Sequence, residues 1–277
     1  MPELPEVETI KKQLEGHIIG KQIADIRLFD KLSHNKIKVS VANETVENIV
    51  RLGKGLIIQL SNQKAIALHL KMTGQLLYTN KSRFNLAGTV IQLPNKHTKA
   101  VIIFTDNTKL FFNDIRRFGW IKVDKLDAIK SWQFFIHLGQ DALKILYQDF
   151  FELVSNSNQS IKDLILDQSK IAGIGNIYAN DALFLAKINP FKKAKQLKSS
   201  DIKALYQSMK IVLAEGINHK GTSKLNFVDI FGQKGNYQKH ALVYNKEGQL
   251  CPNNCGAKIK RLKQKGRSSF FCPNCQK

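Results

Sequence analysis

All four cysteines of this 277-residue chain fall in its last 27 positions, as Cys251, Cys255, Cys272 and Cys275 in "CPNNCGAKIKRLKQKGRSSFFCPNC". Two close pairs across a 16-residue spacer are the arrangement of a zinc ribbon, in which each pair supplies one knuckle of a tetrahedral site. Thiolates suit zinc because its filled d shell accepts tetrahedral sulfur without redox chemistry. The other use of such spacing is a pair of disulfides, which a cytoplasmic chain disfavours. Four cysteines close the coordination sphere, so one structural Zn2+ is expected, holding a fold and performing no reaction.

The opposite end raises a different question, because "MPELPEVETI" crowds Pro2, Pro5, Glu3 and Glu6 into its first six positions. Position alone explains much of this. Pro5 suits a first helical turn, Glu6 and Glu8 suit the positive end of the helix dipole, and Val7, Ile10, Leu14 and Ile18 recur at helical spacing before Gly20. Charge gives a hint of partners. Lys plus Arg total 43 against 22 Asp plus Glu, a net +21, which attracts polyanions such as nucleic acid or anionic membrane and equally describes a solvated lysine-rich surface. No apolar run approaches the ~20 residues that cross a bilayer, and the polar, acidic start is unlike a secretory signal, so a cytoplasmic protein without a membrane partner is expected.

The elements that must position these ends follow from periodicity. After the first helix come β-like runs, "IADIRLF", "ETVENIVRLGKGLIIQL", "KAIALHLKMTGQLLY", "LAGTVIQL", "KAVIIFTDNTKLFFND" and "FGWIKV", punctuated by Gly, Asn and Asp. They predict a β-sandwich attached to a terminal helix and ending near residue 130. The second half is helical in "SIKDLILDQ", "NIYANDALFLAKI" and "SSDIKALYQSMKIVLAEGINHK". Between the first two, "SKIAGIG" allows only tight turns, with Asn176 placed to cap the next helix. Glycines before a helix N-terminus offer N–H groups to an anion such as DNA phosphate; a plain helix–helix corner reads equally well. "GTSKLNFVDIFGQKGNYQKH" lacks periodicity and reads as a mobile loop. The expected organisation is 1–130 for helix and sandwich, 131–145 as linker, 146–240 helical, and 241–277 the ribbon, an α+β multidomain chain.

Taken in order, "PELPEVETI", "HLKMTGQL", "NDIRRFG", "LILDQ", "AGIGNIY" and the terminal "GRSSFFCPNCQK" resemble the bacterial formamidopyrimidine-DNA glycosylases, over essentially the whole chain. Leu4 in "PELPE" favours this oxidised-purine branch over the related endonuclease VIII group. The resemblance implies a two-layer β-sandwich, a helix-two-turns-helix domain and a zinc-ribbon hairpin. It also implies a monomeric base-excision-repair enzyme that removes 8-oxoguanine and formamidopyrimidines from duplex DNA and then cleaves the strand by β,δ-elimination. Duplex DNA carrying oxidised bases or abasic sites is the implied partner, reached in the cytoplasm at the nucleoid.

By that resemblance, trimming of Met1 leaves Pro2 as the terminal amine. An α-amino group of unperturbed pKa about 7.7–8.0 is partly neutral near pH 7 and able to attack a sugar C1′, giving an iminium that serves as an electron sink. Glu3 is the implied proton carrier, Glu6 an organiser of the site, and Lys54 in "RLGKGLI" a DNA contact with a catalytic contribution. Met72, Arg116 and Phe118 match the residues that fill the hole left by a flipped nucleotide. His69, Asn176, Tyr244 and Arg267 match contacts to the DNA backbone, with Arg117 and Lys162 as further candidates. The chain departs from the family's pattern in the three-residue spacer of "CPNNC", in Asp181 where Glu is usual, and in "KGTSKLNF" where "GGST" is commoner. Two other readings stand beside the glycosylase: a non-enzymatic zinc-ribbon DNA-binding protein, which would have no need of a free proline amine, and an oxidised-pyrimidine glycosylase.

Overall fold

The first helix, α1 (Leu4–Ile18), starts in a capping box: the Glu6 carboxylate accepts the backbone N–H of Glu3 at 2.7 Å, and the Glu3 side chain accepts the backbone N–H of Glu6 in return. Its buried stripe is Leu4, Val7, Ile10, Leu14 and Ile18, the spacing that puts one helical face against a core. In the computed structural model, which describes residues 1–29, 36–223 and 226–277, the chain forms two compact units. One comprises residues 1–137 with 219–238, the other 138–218 with 239–277.

In the first unit the strands are β1 (Ile23–Leu28), β2 (Lys36–Ile37), β3 (Val46–Leu52), β4 (Gly55–Leu60), β5 (Lys64–His69), β6 (Gly74–Thr79), β7 (Arg83–Leu86), β8 (Thr89–Gln92), β9 (Thr98–Phe104), β10 (Lys109–Asp114) and β11 (Trp120–Lys125). They build a four-stranded sheet, β1-β9-β10-β6, and a five-stranded sheet, β2-β11-β5-β4-β3; β7 and β8 form a separate hairpin. The sandwich core takes Leu76, Ile102, Leu110 and Phe112 from one sheet and Ile49, Leu56, Ile58, Ile66 and Leu68 from the other, together with the α1 stripe. Alternate residues of the four-stranded sheet, Leu77, Val101 and Phe111, face outward and pack with Phe84 and Leu93. Both faces are therefore buried, which is why these strands read as continuous apolar runs. Two short helices, α2 (Leu126–Lys130) and α3 (Gln133–Ile136), close this part of the chain.

Residues 219–238 cluster with the sandwich although they follow the helical segment. Phe227 and Ile230 enter its core, Tyr78 N–H donates to the Ile230 carbonyl at 2.8 Å, and Gln13 Nε2 donates to Asp229. The segment that lacks periodicity, expected as a mobile loop, is thus held by apolar plugs and long-range hydrogen bonds; its Lys224 and Leu225 lie outside the described residues.

The second unit holds β12 (Gln140–Asp141), α4 (Tyr147–Ser155), α5 (Ile161–Leu166), β13 (Ile171–Ala172), α6 (Asn176–Leu185), α7 (Ser199–Asn218), β14 (Lys260–Gln264) and β15 (Arg267–Phe271). Helices α5 and α6 are separated by the tight turns expected at "SKIAGIG", and α6 packs on α7. β14 and β15 form the terminal hairpin. Among the described residues, no helix is long and apolar enough to cross a membrane.

Candidate functional site

Strand register places the loops that carry the expected site residues of the first unit. Gly55 pairs with His69 across β4–β5, and His69 pairs with Trp120 across β5–β11. The turn carrying Lys54, the β5–β6 connection carrying Met72 and the β10–β11 connection carrying Arg116–Phe118 therefore sit at one end of the sandwich. Both connections cross between the sheets and are neighbours, since Gly74 pairs with Asp114 where β6 meets β10.

Pro2, Glu3 and Glu6 are buried at the start of α1, while Met1 is exposed. Besides the Glu3 N–H, Glu6 accepts the Thr222 N–H at 2.7 Å, so one carboxylate joins the N-terminus of α1 to the 219–238 segment. Gly221 makes room for this. Its φ is +77°, and a β-carbon there would lie 2.6 Å from Glu6 Cγ. Two residues on, Glu8 accepts from Arg51 Nε at 2.6 Å, and Arg51 Nη1 donates to the Gly53 carbonyl at 2.9 Å. This buried guanidinium bolts α1 to the turn that presents Lys54, which is itself largely buried. Charge alternation along the chain offers no sign of Arg51, because its partner Glu8 lies on another element.

His69 is buried among rings, its centroid 5.2 Å from Phe134 and 5.7 Å from Trp120. Burial first, and then the charges of Lys71 and Lys54, push its pKa down from 6.5 to about 3. The Lys71 N–H donates to Nδ1 at 2.9 Å, which leaves Nε2 as the protonated, donating nitrogen of a neutral ring. An unfolded chain takes up a proton here near pH 6.5 and the fold only near pH 3, so this group's contribution to stability falls as pH drops through that window. Urea unfolding of wild type and His69→Gln between pH 7 and pH 4 should show the wild type losing more stability, by at most about 1.4 kcal/mol per pH unit; parallel curves would contradict the buried neutral ring.

At the crossover loops, Met72 and Phe118 are exposed, at 42% and 53% of their surface. Arg116 bridges them: its Nη1 donates to Met72 Sδ at 2.9 Å and its guanidinium lies 4.7 Å from the Phe118 ring. The three residues expected to fill a vacated base site form one cluster. Arg117 is also exposed, but its Nη2 donates to the Lys96 carbonyl at 2.9 Å.

In the second unit, Lys162, expected at the DNA backbone, is only 1% exposed; its ammonium donates to the Ser268 carbonyl and to Ser269 Oγ, both at 2.8 Å, and so supports the terminal hairpin. Asn176, expected as a helix cap, is the first residue inside α6, where Gly175 is the N-cap. Its Nδ2 instead donates to the same Ser268 carbonyl at 3.1 Å. The neighbouring Asn180 accepts the Phe270 N–H at 2.7 Å, so α6 fixes the register of β15 and thereby the start of that strand at exposed Arg267. Asp181 accepts the N–H groups of Leu242, Val243 and Tyr244 at 3.0, 2.9 and 3.0 Å, and so holds the backbone of Tyr244. The shorter carboxylate still reaches all three donors.

The four cysteine sulfurs lie within 4.8 Å of one another, with Cys251 Sγ 3.7 Å from Cys275 Sγ and Cys255 Sγ 3.4 Å from Cys272 Sγ. A tetrahedron of Zn–S bonds near 2.3 Å needs sulfurs about 3.8 Å apart, and a disulfide needs about 2.05 Å. The residues present fit zinc. The extra residue of the first knuckle is absorbed by Asn254, which takes a left-handed φ of +52° while its N–H donates to the Cys251 carbonyl.

Residues 1–121 match the formamidopyrimidine-DNA glycosylase N-terminal domain, 138–227 the formamidopyrimidine-DNA glycosylase H2TH domain, and 248–277 a zinc finger found in FPG and IleRS. The chain is 39% identical to the formamidopyrimidine-DNA glycosylase of Pelotomaculum thermopropionicum, covering all of this chain and 99% of that protein. With the Rickettsia bellii protein of the same name it shares 36% identity across the full length of both. Among solved structures, MutM (FPG) of Thermus thermophilus superposes with a TM-score of 0.87 at 30% identity over 99% of this chain and 98% of that one. Lactococcus lactis Fpg in complex with an oxidised-pyrimidine-containing DNA superposes at 0.85, again at 30% identity, over the whole of both chains.

Proposed function

Because the chain belongs to the formamidopyrimidine-DNA glycosylase family, we propose that it excises oxidised purines from duplex DNA and then opens the strand, with Pro2 as the nucleophile. The observation that carries this reading is the buried Pro2–Glu3 pair, fixed at the head of α1 by Glu6. Once Met1 is removed, the neutral Pro2 amine attacks C1′ of the damaged nucleotide. The N–C1′ bond forms as the bond to the base breaks, and the base departs with the glycosidic electron pair. Loss of the amine proton and opening of the sugar ring leave an iminium. Its positive charge acidifies C2′–H, and removal of that proton expels the 3′ phosphate; a second elimination expels the 5′ phosphate. Glu3, beside the amine, gives a proton to the opening sugar and takes one at the elimination steps.

Lys54 and the neutral, Nε2-donating His69 are assigned to the phosphates at the reacting end, and Met72, Arg116 and Phe118 to the space left by the flipped nucleotide. Asn176, Tyr244 and Arg267 are assigned to phosphates in the second unit. Zinc closes the knuckles of Cys251, Cys255, Cys272 and Cys275 and supplies structure alone. The enzyme would act in the cytoplasm on nucleoid DNA.

The test uses duplex carrying 8-oxoguanine opposite cytosine. Release of the free base together with a nicked strand is expected, and tight binding without base release would favour the non-enzymatic DNA binder. Release confined to oxidised pyrimidines would move the specificity to the other branch.

A further inference from the structure

Lys99, in β9, is 0% exposed, an unusual place for an ammonium. Its Nζ donates to the Gly119 carbonyl at 2.6 Å and to the Arg117 carbonyl at 2.9 Å, 5.9 Å from the centre of the Phe112 ring. Asp114, also buried, answers from the other side. Its Oδ2 accepts the Gly119 N–H at 2.6 Å, and its Oδ1 accepts the Arg116 N–H at 3.2 Å and the Thr73 hydroxyl. The Thr73 oxygen in turn accepts the Arg116 N–H at 3.0 Å. One buried cation thus takes the carbonyls of the 115–119 connection, one buried anion takes its amides, and Thr73 ties in the connection that carries Met72.

Two backbone features mark the same connection. Arg117 holds a left-handed φ of +58°, an uncommon and costly region for a non-glycine residue. Gly119 is packed so tightly that a β-carbon would lie 2.7 Å from the Phe112 ring and 2.9 Å from the His69 carbonyl. Residues 115–118 are all exposed on this frame, and of them Arg116 and Phe118 form the cluster with Met72. A wedge of exposed apolar side chains separates base pairs only if its backbone does not yield, since entering a stacked duplex costs a few kcal/mol per step.

We infer that Lys99, together with Asp114 and Thr73, is a positioning clamp that pre-sets the Met72–Arg116–Phe118 wedge for entry into the duplex. The inference rests on the wedge reading given above and adds residues that touch no DNA. Ordered donors and acceptors hold the tip before the substrate arrives, so ordering it costs nothing at the moment of base extrusion.

The test compares single-turnover excision of the same lesion in two duplexes, one with cytosine opposite and one with a one-nucleotide gap opposite. The gap removes the orphan base and most of the unstacking that a wedge must drive. Lys99→Met, Thr73→Val and Phe118→Ala are measured with wild type, and thermal unfolding of each checks that it is folded. Lys99→Met is expected to lower the ratio of paired to gapped rates on the order of 10- to 100-fold, as Phe118→Ala does, and Thr73→Val to lower it in the same direction by less. A purely structural lysine would slow both substrates alike and leave the ratio at the wild-type value. That outcome, with Phe118→Ala still lowering the ratio, overturns the clamp. Should Lys99→Met not fold, an unchanged ratio in Thr73→Val overturns it equally. An unchanged ratio in Phe118→Ala would instead remove the wedge reading, and the clamp with it.

Discussion

A Pro2→Gly variant is expected to lose single-turnover excision by at least about 10²-fold while its affinity for lesion-bearing duplex stays within about threefold, a difference below ~0.7 kcal/mol. Glycine keeps an amine at the same point in the chain, so the substitution isolates what the ring contributes. The ring ties the attacking nitrogen to its own side chain and so restricts its orientation, and in this fold residue 2 lies buried beside Glu3 at the head of α1. Glycine lets that nitrogen wander. A secondary amine also yields an iminium that is cationic at any pH, whereas the primary amine of glycine forms an imine that must be protonated before it withdraws electrons. On the assignments proposed above, duplex affinity comes from cations elsewhere, including exposed Arg116 and Arg267, and should survive. Rates equal to wild type, with mass spectrometry confirming removal of Met1, would contradict the assignment.

The second large effect is expected from the metal. The protein should contain one zinc per chain, and either chelation or Cys275→Ser should weaken binding to lesion duplex by at least about tenfold. The dependence of affinity on salt should also become shallower, by about one unit of slope for each phosphate that is no longer neutralised. Structural zinc contributes about 10–16 kcal/mol to the folding of small knuckles. The hairpin it closes shares only a modest apolar cluster with Phe184 of α6, formed with Val243, Ile259, Phe270, Cys251 and Cys272. Below the hairpin, Lys162, Asn176 and Asn180 hold β15, chiefly through its backbone. Those hydrogen bonds fix the strand's register only while the strand exists, so metal loss should remove Arg267 from its position without unfolding the sandwich. Circular dichroism should show most of the secondary structure retained. Metal-free protein with wild-type affinity and salt slope would contradict this role.

The parts legible in the sequence are those whose signal is local. The cysteine quartet reads as a metal site because all four ligands lie within 25 residues, and the sulfurs do converge. Helix α1 is legible from the spacing of its apolar stripe, and the sandwich from runs broken by turn residues. Long-range chemistry is not legible. Lys99 sits in "TKAVIIF", where a lysine reads as a strand's solvent side, and its partners lie 18 and 20 residues away. Lys162 reads as a surface cation because the hairpin that buries it is more than 100 residues further on. Asn176 reads as a cap from its neighbours, yet its amide faces a strand 92 residues away. The 219–238 segment shows no period because its plugs, Phe227 and Ile230, are set by the sandwich core and not by an element of its own. Met72, Arg116 and Phe118 carry no local signature that separates a wedge from a core, and only the family resemblance points to them. Their joint exposure in one cluster is a property of adjacent sheet crossovers, which sequence order alone does not reveal.

Borohydride trapping probes the covalent step at its source. The purified protein is incubated with duplex carrying 8-oxoguanine opposite cytosine, reductant is added, and the cross-linked peptide is sequenced. A single covalent adduct per chain is expected, attached through the nitrogen of Pro2, with Met1 absent from the peptide. An adduct on a lysine such as Lys54, or base release with no trapped adduct at all, would contradict the proline mechanism.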